Sequence, residues 1–281
     1  MFDRFARSWQ LAGECLRLLL QDKRLLILPL LSSLAIVLLT VSFAVPLLPA
    51  LSAHRGGARS LSALTYVVLF LFYWLQYAVI FFFNTALVEV AMKRFDGEQA
   101  SIADGLRRAA SLLPVILIYA AIAASVGTLL RLIAERVGFL GRIVISLIGL
   151  AWSVATALVV PVLAAENVGP IEAIGRSVEL IKKAWGEDII GTAGFGIVFG
   201  LITVVTIVCG GLLALVAFGA HRLTLGVLLM VLVILAVCLL ALAQATLHGI
   251  YSAALYRYAR GDSAQGGIDK HLLEGAFRAR A

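Results

Sequence analysis

Charge is scarce in this chain. Asp, Glu, Lys and Arg make up 14% of the 281 residues, hydrophobic residues 62%, and the mean hydropathy is +1.03. That balance excludes an ordinary soluble domain, in which about a quarter of residues are charged. Cysteine is nearly missing: Cys15, Cys209 and Cys238 are scattered, with no CxxC and no zinc-like spacing. Cys209 and Cys238 fall in or near apolar runs and read as inert packing residues. The four histidines, His54, His221, His248 and His271, are too dispersed to form one metal site. HExxH, GxSxG, P-loop and Rossmann patterns are all absent. An enzyme is therefore the least supported class, and neither metal nor cofactor is expected. Apolar runs and short connections consume the length and leave no room for a separate soluble catalytic domain. No cleavable leader is expected, because an amphipathic lead of two dozen residues precedes the first apolar run.

What the chain has in abundance is apolar runs longer than the roughly 18 residues that argue for a transmembrane helix. The first expected span covers about 25–48, with Pro29 in its first turns, where proline costs least. A polar connection, 52–60, leads to a long aromatic-rich span, 61–92. The third, about 114–130, is followed by a short connecting segment, 131–142, in which Arg131 and Glu135 stand at i,i+4. The fourth covers 143–165. Residues 189–247 are almost unbroken apolar and allow two passes, with the hairpin at His221 and Arg222 or, alternatively, at Gly210 and Gly211. The sixth span closes at 256–258.

Between the spans lie three expected amphipathic helices. Residues 2–20 place Phe2, Phe5, Trp9, Ala12, Leu16 and Leu20 on one face. The second opens with a capping-box pattern, SIAD at 101–104, and aligns Ile102, Leu106, Ala109 and Leu113. The third starts at Pro170, a favoured first helical position, and ends before Gly186. Its expected apolar face is Ile171, Ile174, Val178, Ile181 and Trp185, backed by Glu172 with Arg176 and Glu179 with Lys183. This is the pattern of a helix lying in the membrane interface.

The net charge of +7 is carried by residues clustered beside spans, which reads as orientation toward anionic lipid rather than a nucleic-acid surface. Seventeen of the 23 Lys and Arg residues fall in the N-terminal lead, the second and fourth connections and the C-terminal end. The positive-inside rule then places both termini and all three amphipathic helices in the cytoplasm of a bacterial inner (plasma) membrane. The expectation is an all-α polytopic helix bundle of six transmembrane helices and three cytoplasmic interfacial helices over 1–258, with a cytoplasmic tail, 259–281.

A unit of one amphipathic helix and two spans fits three times, 1–92, 93–166 and 167–258. ARSWQL at 6–11, RRAASL at 107–112 and GRSVEL at 175–180 echo one another, as do the TALV strings at 85–88 and 156–159.

Polar groups inside spans are expensive and therefore draw attention. Asn84, Gln244 and His248 form one candidate polar pocket, with Glu89 nearer the boundary. The plainer alternatives are an interhelical hydrogen bond for Asn84, a core histidine at His248 and a Glu89–Lys93 pair. Glu166 is placed to complement the start of the following helix. Thr192, Gly196 and Gly200 form a small-residue stripe suited to close packing within the bundle or to a homodimer face. The basic residues proposed to touch lipid or a protein partner are Arg7, Arg107, Arg108, Arg176, Lys182 and Lys183.

The segments FARSWQLA, FFFNTALVEVAMKRF, SIADGLRRA, LLRLIAERVGFLGRIV, WSVATALVVPVLAAENVGPIEAIGRSVELIKKAWGE and GTAGFGIVFG resemble a family of uncharacterised bacterial six-span integral membrane proteins. GPIEAIGRSVELIKKAWG is also similar to connections in the membrane domains attached to glycerophosphodiester phosphodiesterases. That likeness covers one helix, and the acidic and histidine clusters of the attached catalytic domain are missing here. The resemblance implies a fold and a location; it supplies no catalytic residues. The leading expectation is a non-catalytic membrane module touching lipid or a partner. A transporter or channel built on Asn84, Gln244 and His248 is the rival, and a lipid enzyme using Glu89 or His248 a third reading.

Overall fold

A computed structural model describes residue 19 and residues 22–55, 63–183 and 188–260, built from helices with no strand among the described residues. A 3-10 turn, Lys23–Leu26, leads into α1 (Ile27–Arg55). There follow α2 (Ala63–Phe95), α3 (Ile102–Ser111), α4 (Leu113–Arg136), α5 (Phe139–Ala155), α6 (Val159–Glu166), α7 (Pro170–Lys183), α8 (Asp188–Gly219) and α9 (Leu223–Arg260). Among the described residues, six helical stretches are long and apolar enough to cross a membrane: Lys23–Val45, Val67–Phe95, Leu113–Arg136, Phe139–Glu166, Val198–Gly219 and Leu223–Arg257. The expected helix over 2–20 lies outside the described residues except for Leu19, which is buried. The tail from residue 261, and Trp185 with Gly186, also lie outside them.

Several boundaries follow from local chemistry. The capping box at Ser101 forms: its hydroxyl accepts the Asp104 N–H at 3.2 Å, and the Asp104 carboxylate accepts the Ser101 N–H at 3.0 Å. Those hydrogen bonds hold the Asp104 carboxyl below its usual pKa. The α8–α9 turn falls at His221, in the left-handed region at φ 55°, while α8 runs unbroken through Gly210 and Gly211.

The segment 131–142, read as a connection, is instead mostly helical. Arg131 pairs with Glu135 at 3.2 Å and donates to the Tyr73 hydroxyl at 3.2 Å, so its charge is satisfied without breaking α4. Only Val137 and Gly138 separate α4 from α5.

The fourth span is two helices. Pro161 has no N–H and its ring crowds the carbonyl four residues back, at Ala157, so a straight helix cannot pass. The chain turns at 156–158 and restarts at Val159. The break leaves the Leu158 N–H without a backbone acceptor, and Ser177 Oγ on α7 accepts it at 3.1 Å in a buried setting.

Each amphipathic helix buries a face that overlaps the expected one but is rotated toward smaller residues: Ile181 and Ala109 are buried as expected and Ile174, Ile102 and Leu106 pack against the core, while Leu113 is exposed. In α7 the buried residues are Ala173, Ser177, Leu180 and Ile181, whereas Ile171 is 76% exposed. In α3 and just after it they are Gly105, Ala109 and Leu112. The two sets share one spacing. Small residues win these positions because the backbones approach closely: a Cβ at Gly105 would stand 2.5 Å from the Ala86 carbonyl oxygen.

The packed core sits at one end of the molecule. α2 is its centre, in contact with α1, α3, α4, α6 and α9. One cluster joins Leu25 and Leu28 to Leu87, Val90 and Phe95 of α2 and Leu247 and Ile250 of α9. A second joins Tyr119 of α4, Leu158 and Leu163, Leu180 of α7, and Tyr251, Leu255 and Tyr256 of α9. α5 contains no buried residue. Cys209 and Cys238, expected as packing residues, are exposed on α8 and α9, because these helices meet chiefly each other.

Candidate functional site

The polar groups concentrate at the packed end, where the spans stop and α3 and α7 dock. Asn167 adopts the left-handed conformation, φ 51°, that an Asn tolerates at a helix C-cap. This turns the end of α6 toward α3. Arg108 of α3 donates from Nε and a terminal nitrogen to the Ala164 carbonyl at 3.1 and 2.7 Å, and to the Asn167 side chain at 2.8 Å. The last carbonyls of a helix lack intrahelical partners, so this guanidinium is the cap of α6.

Glu166 lies one residue before that cap, its side chain only 17% exposed. The Tyr256 hydroxyl donates to it at 2.7 Å, and Arg176 of α7 approaches its other oxygen at 3.5 Å. Arg176 also pairs with Glu179 at 2.6 Å. The expected Glu172–Arg176 pair gives way to these two because Arg176 turns inward. Hydrogen bonding to Glu179, then the charges of Glu179 and Glu166, push the Arg176 pKa up. Arg260 donates to the Tyr256 hydroxyl at 3.1 Å. Across the bundle, Arg94 pairs with Asp22 at 2.7 Å and Arg257 with Asp96 at 2.5 Å. Glu89 pairs with Lys93 at 3.2 Å. Glu166, Asp22 and Asp96 are therefore each held by a donor from another element, an arrangement that clamps helix ends together, while Glu89 pairs within α2.

The sequence-based candidates scatter around this clamp. Asn84 is half-buried on α2 and faces Gly249, where a Cβ would lie 3.3 Å from its Oδ1. Gln244 is half-buried, whereas His248 is exposed on the surface of α9 and is not a core residue. The outward face of α9 at His248 differs from the face that Gly249 and Ile250 turn to α2. Gly196 and Gly200 are exposed with open space beside them, so the bundle does not pack on them; the Thr192 side chain lies outside the described residues.

Among the basic candidates, Arg107 is 81% exposed and paired only loosely with Asp104 at 3.6 Å. Lys182 is exposed. Arg108 and Arg176 face the fold. Arg7 and the Lys183 side chain lie outside the described residues. No group of three or more His, Cys, Asp and Glu that would hold a metal occurs among the described residues.

Sequence reasoning missed Ser177, Asn167, Tyr256 and Arg260. Two signals were available: the i,i+4 spacing of Tyr256 and Arg260, and Asn167 two residues before the Gly-Pro helix start.

Six apolar helices with a packed, charge-clamped end define the class, a multi-pass α-helical membrane protein. Within that class the chain belongs to DUF6159, a family of unknown function, whose model matches residues 63–267. No curated protein and no solved structure matches it.

Proposed function

We propose that this protein is a non-catalytic module of the bacterial inner membrane, with its termini, α3 and α7 on the cytoplasmic side, and that its charged end engages anionic lipid headgroups or a partner protein. The observation that carries this reading is the division of labour among the arginines at that end. Arg108 and Arg176 are turned inward to hold α6, while Arg107 and Lys182 stay outside. Exposed basic residues beside the ends of spans attract anionic lipid, each by about 1 kcal/mol. The shared spacing of Gly105, Arg108, Ala109, Leu112 with Ala173, Arg176, Ser177, Leu180 supports duplication of the units 93–166 and 167–258. On the same register Arg7 and Ser8 are the counterparts in the first unit.

The test is lipid selectivity. Arg107→Gln with Lys182→Gln should lower the enrichment of phosphatidylglycerol around the protein in mixed nanodiscs. Unchanged enrichment would refute the lipid form of the proposal.

A second reading, a transporter or channel, draws on the broken fourth span, since interrupted helices line sites in many transporters. Substrate-dependent flux in proteoliposomes, lost in Asn84→Ala, would establish it.

A further inference from the structure

A cavity of about 490 Å³ opens at the packed end, within the size range of small-molecule sites. Its lining has two parts. Arg24, Arg94 and Asp22 make one side; Leu25, Ala91, Phe95 and Ile250 make the other. Three elements contribute: the turn before α1, the last turns of α2, and α9. The first candidate span begins at Lys23 and the second ends at Phe95, so the cavity stands at the level where hydrocarbon gives way to headgroups.

The charges there do not cancel. One Asp22 oxygen pairs with Arg94 at 2.7 Å, and the other accepts the Arg24 backbone N–H at 3.2 Å. Arg94 also donates to the Ala100 carbonyl at 3.2 Å. Asp22 is thus committed to Arg94, and the Arg24 side chain has no acceptor among the described residues. A free guanidinium beside a second one, facing an apolar wall, fits a group that is anionic at one end and greasy at the other. The planar fork of arginine matches phosphate oxygens bidentately.

We infer that this cavity binds the phosphate of one anionic phospholipid, with Arg24 as its principal contact and its acyl start along Leu25, Phe95 and Ile250. The site deepens the lipid reading above by naming one place and one headgroup chemistry.

The test is a native mass-spectrometry titration of the full chain in detergent, with dioctanoyl phosphatidylglycerol, dioctanoyl phosphatidylcholine and glycerol phosphate as probes. One phosphatidylglycerol should be retained, and Arg24→Gln should weaken it by about tenfold, the loss of a charge-assisted hydrogen bond. Ala91→Leu, which narrows the cavity while leaving every charge in place, should weaken it too and serves if Arg24→Gln fails to fold. Arg107→Gln should leave it unchanged. Equal retention of phosphatidylcholine would overturn the anionic assignment. Full competition by glycerol phosphate would make this a soluble-phosphate site and overturn the lipid. Wild-type affinity in both Arg24→Gln and Ala91→Leu would remove the site altogether. The two lipid proposals fail separately: the nanodisc enrichment depends on Arg107 and Lys182, this stoichiometric binding on Arg24.

Discussion

Arg107 and Arg108 are adjacent in sequence and opposite in role. Arg108 caps the last turn of α6, so Arg108→Ala should destabilise the protein by about 1–3 kcal/mol, the cost of stranding acceptors at a part-buried end. Arg107→Ala should stay within about 0.5 kcal/mol. Unfolding in detergent with added denaturant compares the two directly; equal losses would mean that the cap is not what holds α6. Ser177→Ala should also cost about 1–3 kcal/mol, because it leaves the Leu158 N–H buried and unbonded. Asp104 gives a pH signature. Its carboxyl titrates below the usual 3.8, so its contribution is fully present above that value and fades as pH falls through the lower, folded one. Wild type should lose stability in that window relative to Asp104→Asn, whose melting should be flatter with pH. Parallel pH profiles would argue against the capping box as a stabilising feature.

At the scale of elements, α3 and α7 dock through small residues, Gly105, Ala109, Ala173 and Ser177, together with Leu112, Leu180 and Ile181, on faces only partly rotated from the stripes their periodicity suggested. Where two backbones approach closely, as at Gly105 against the Ala86 carbonyl, only a small residue fits, and the larger side chains pack beside that contact. Gly105→Val should therefore lift α3 from α2: the branched side chain meets the Ala86 carbonyl and Val90. Faster thiol labelling of a cysteine placed at Ala109, which is buried in the docked helix, reads that out. Labelling no faster than in the Gly105 background would mean that α2 yields instead. Both helices and both N-termini were legible in the sequence, because capping chemistry is local. The exact rotation of each face was not legible, because Ile171, which is exposed, and Ala173, which is buried, are distinguished only by how near a neighbouring helix comes.

For the whole molecule, the central question is whether water reaches the intramembrane polar groups. In a background with Cys15, Cys209 and Cys238 replaced, single cysteines at Asn84, Gln244 and His248 should resist a small charged thiol reagent while one at Arg107 reacts. His248 is exposed on a span surface, so lipid would cover it. Rapid labelling at all three intramembrane sites would instead mean a hydrated path and would favour transport.

The sequence alone determined the all-helical class, the six apolar spans, the turn at His221, the start of α7 at Pro170 and the Glu89–Lys93 and Arg131–Glu135 pairs. Each depends on composition or on groups within a few residues of each other, where backbone geometry leaves little freedom. Tertiary structure decided that Ser177 serves the break at Leu158, that Arg108 and Glu166 belong to one clamp, and that His248 faces outward. Those outcomes depend on which helices approach, how closely and at what rotation. Residues 19, 56, 90 and 161 apart in the chain meet there, and no local pattern records such distances.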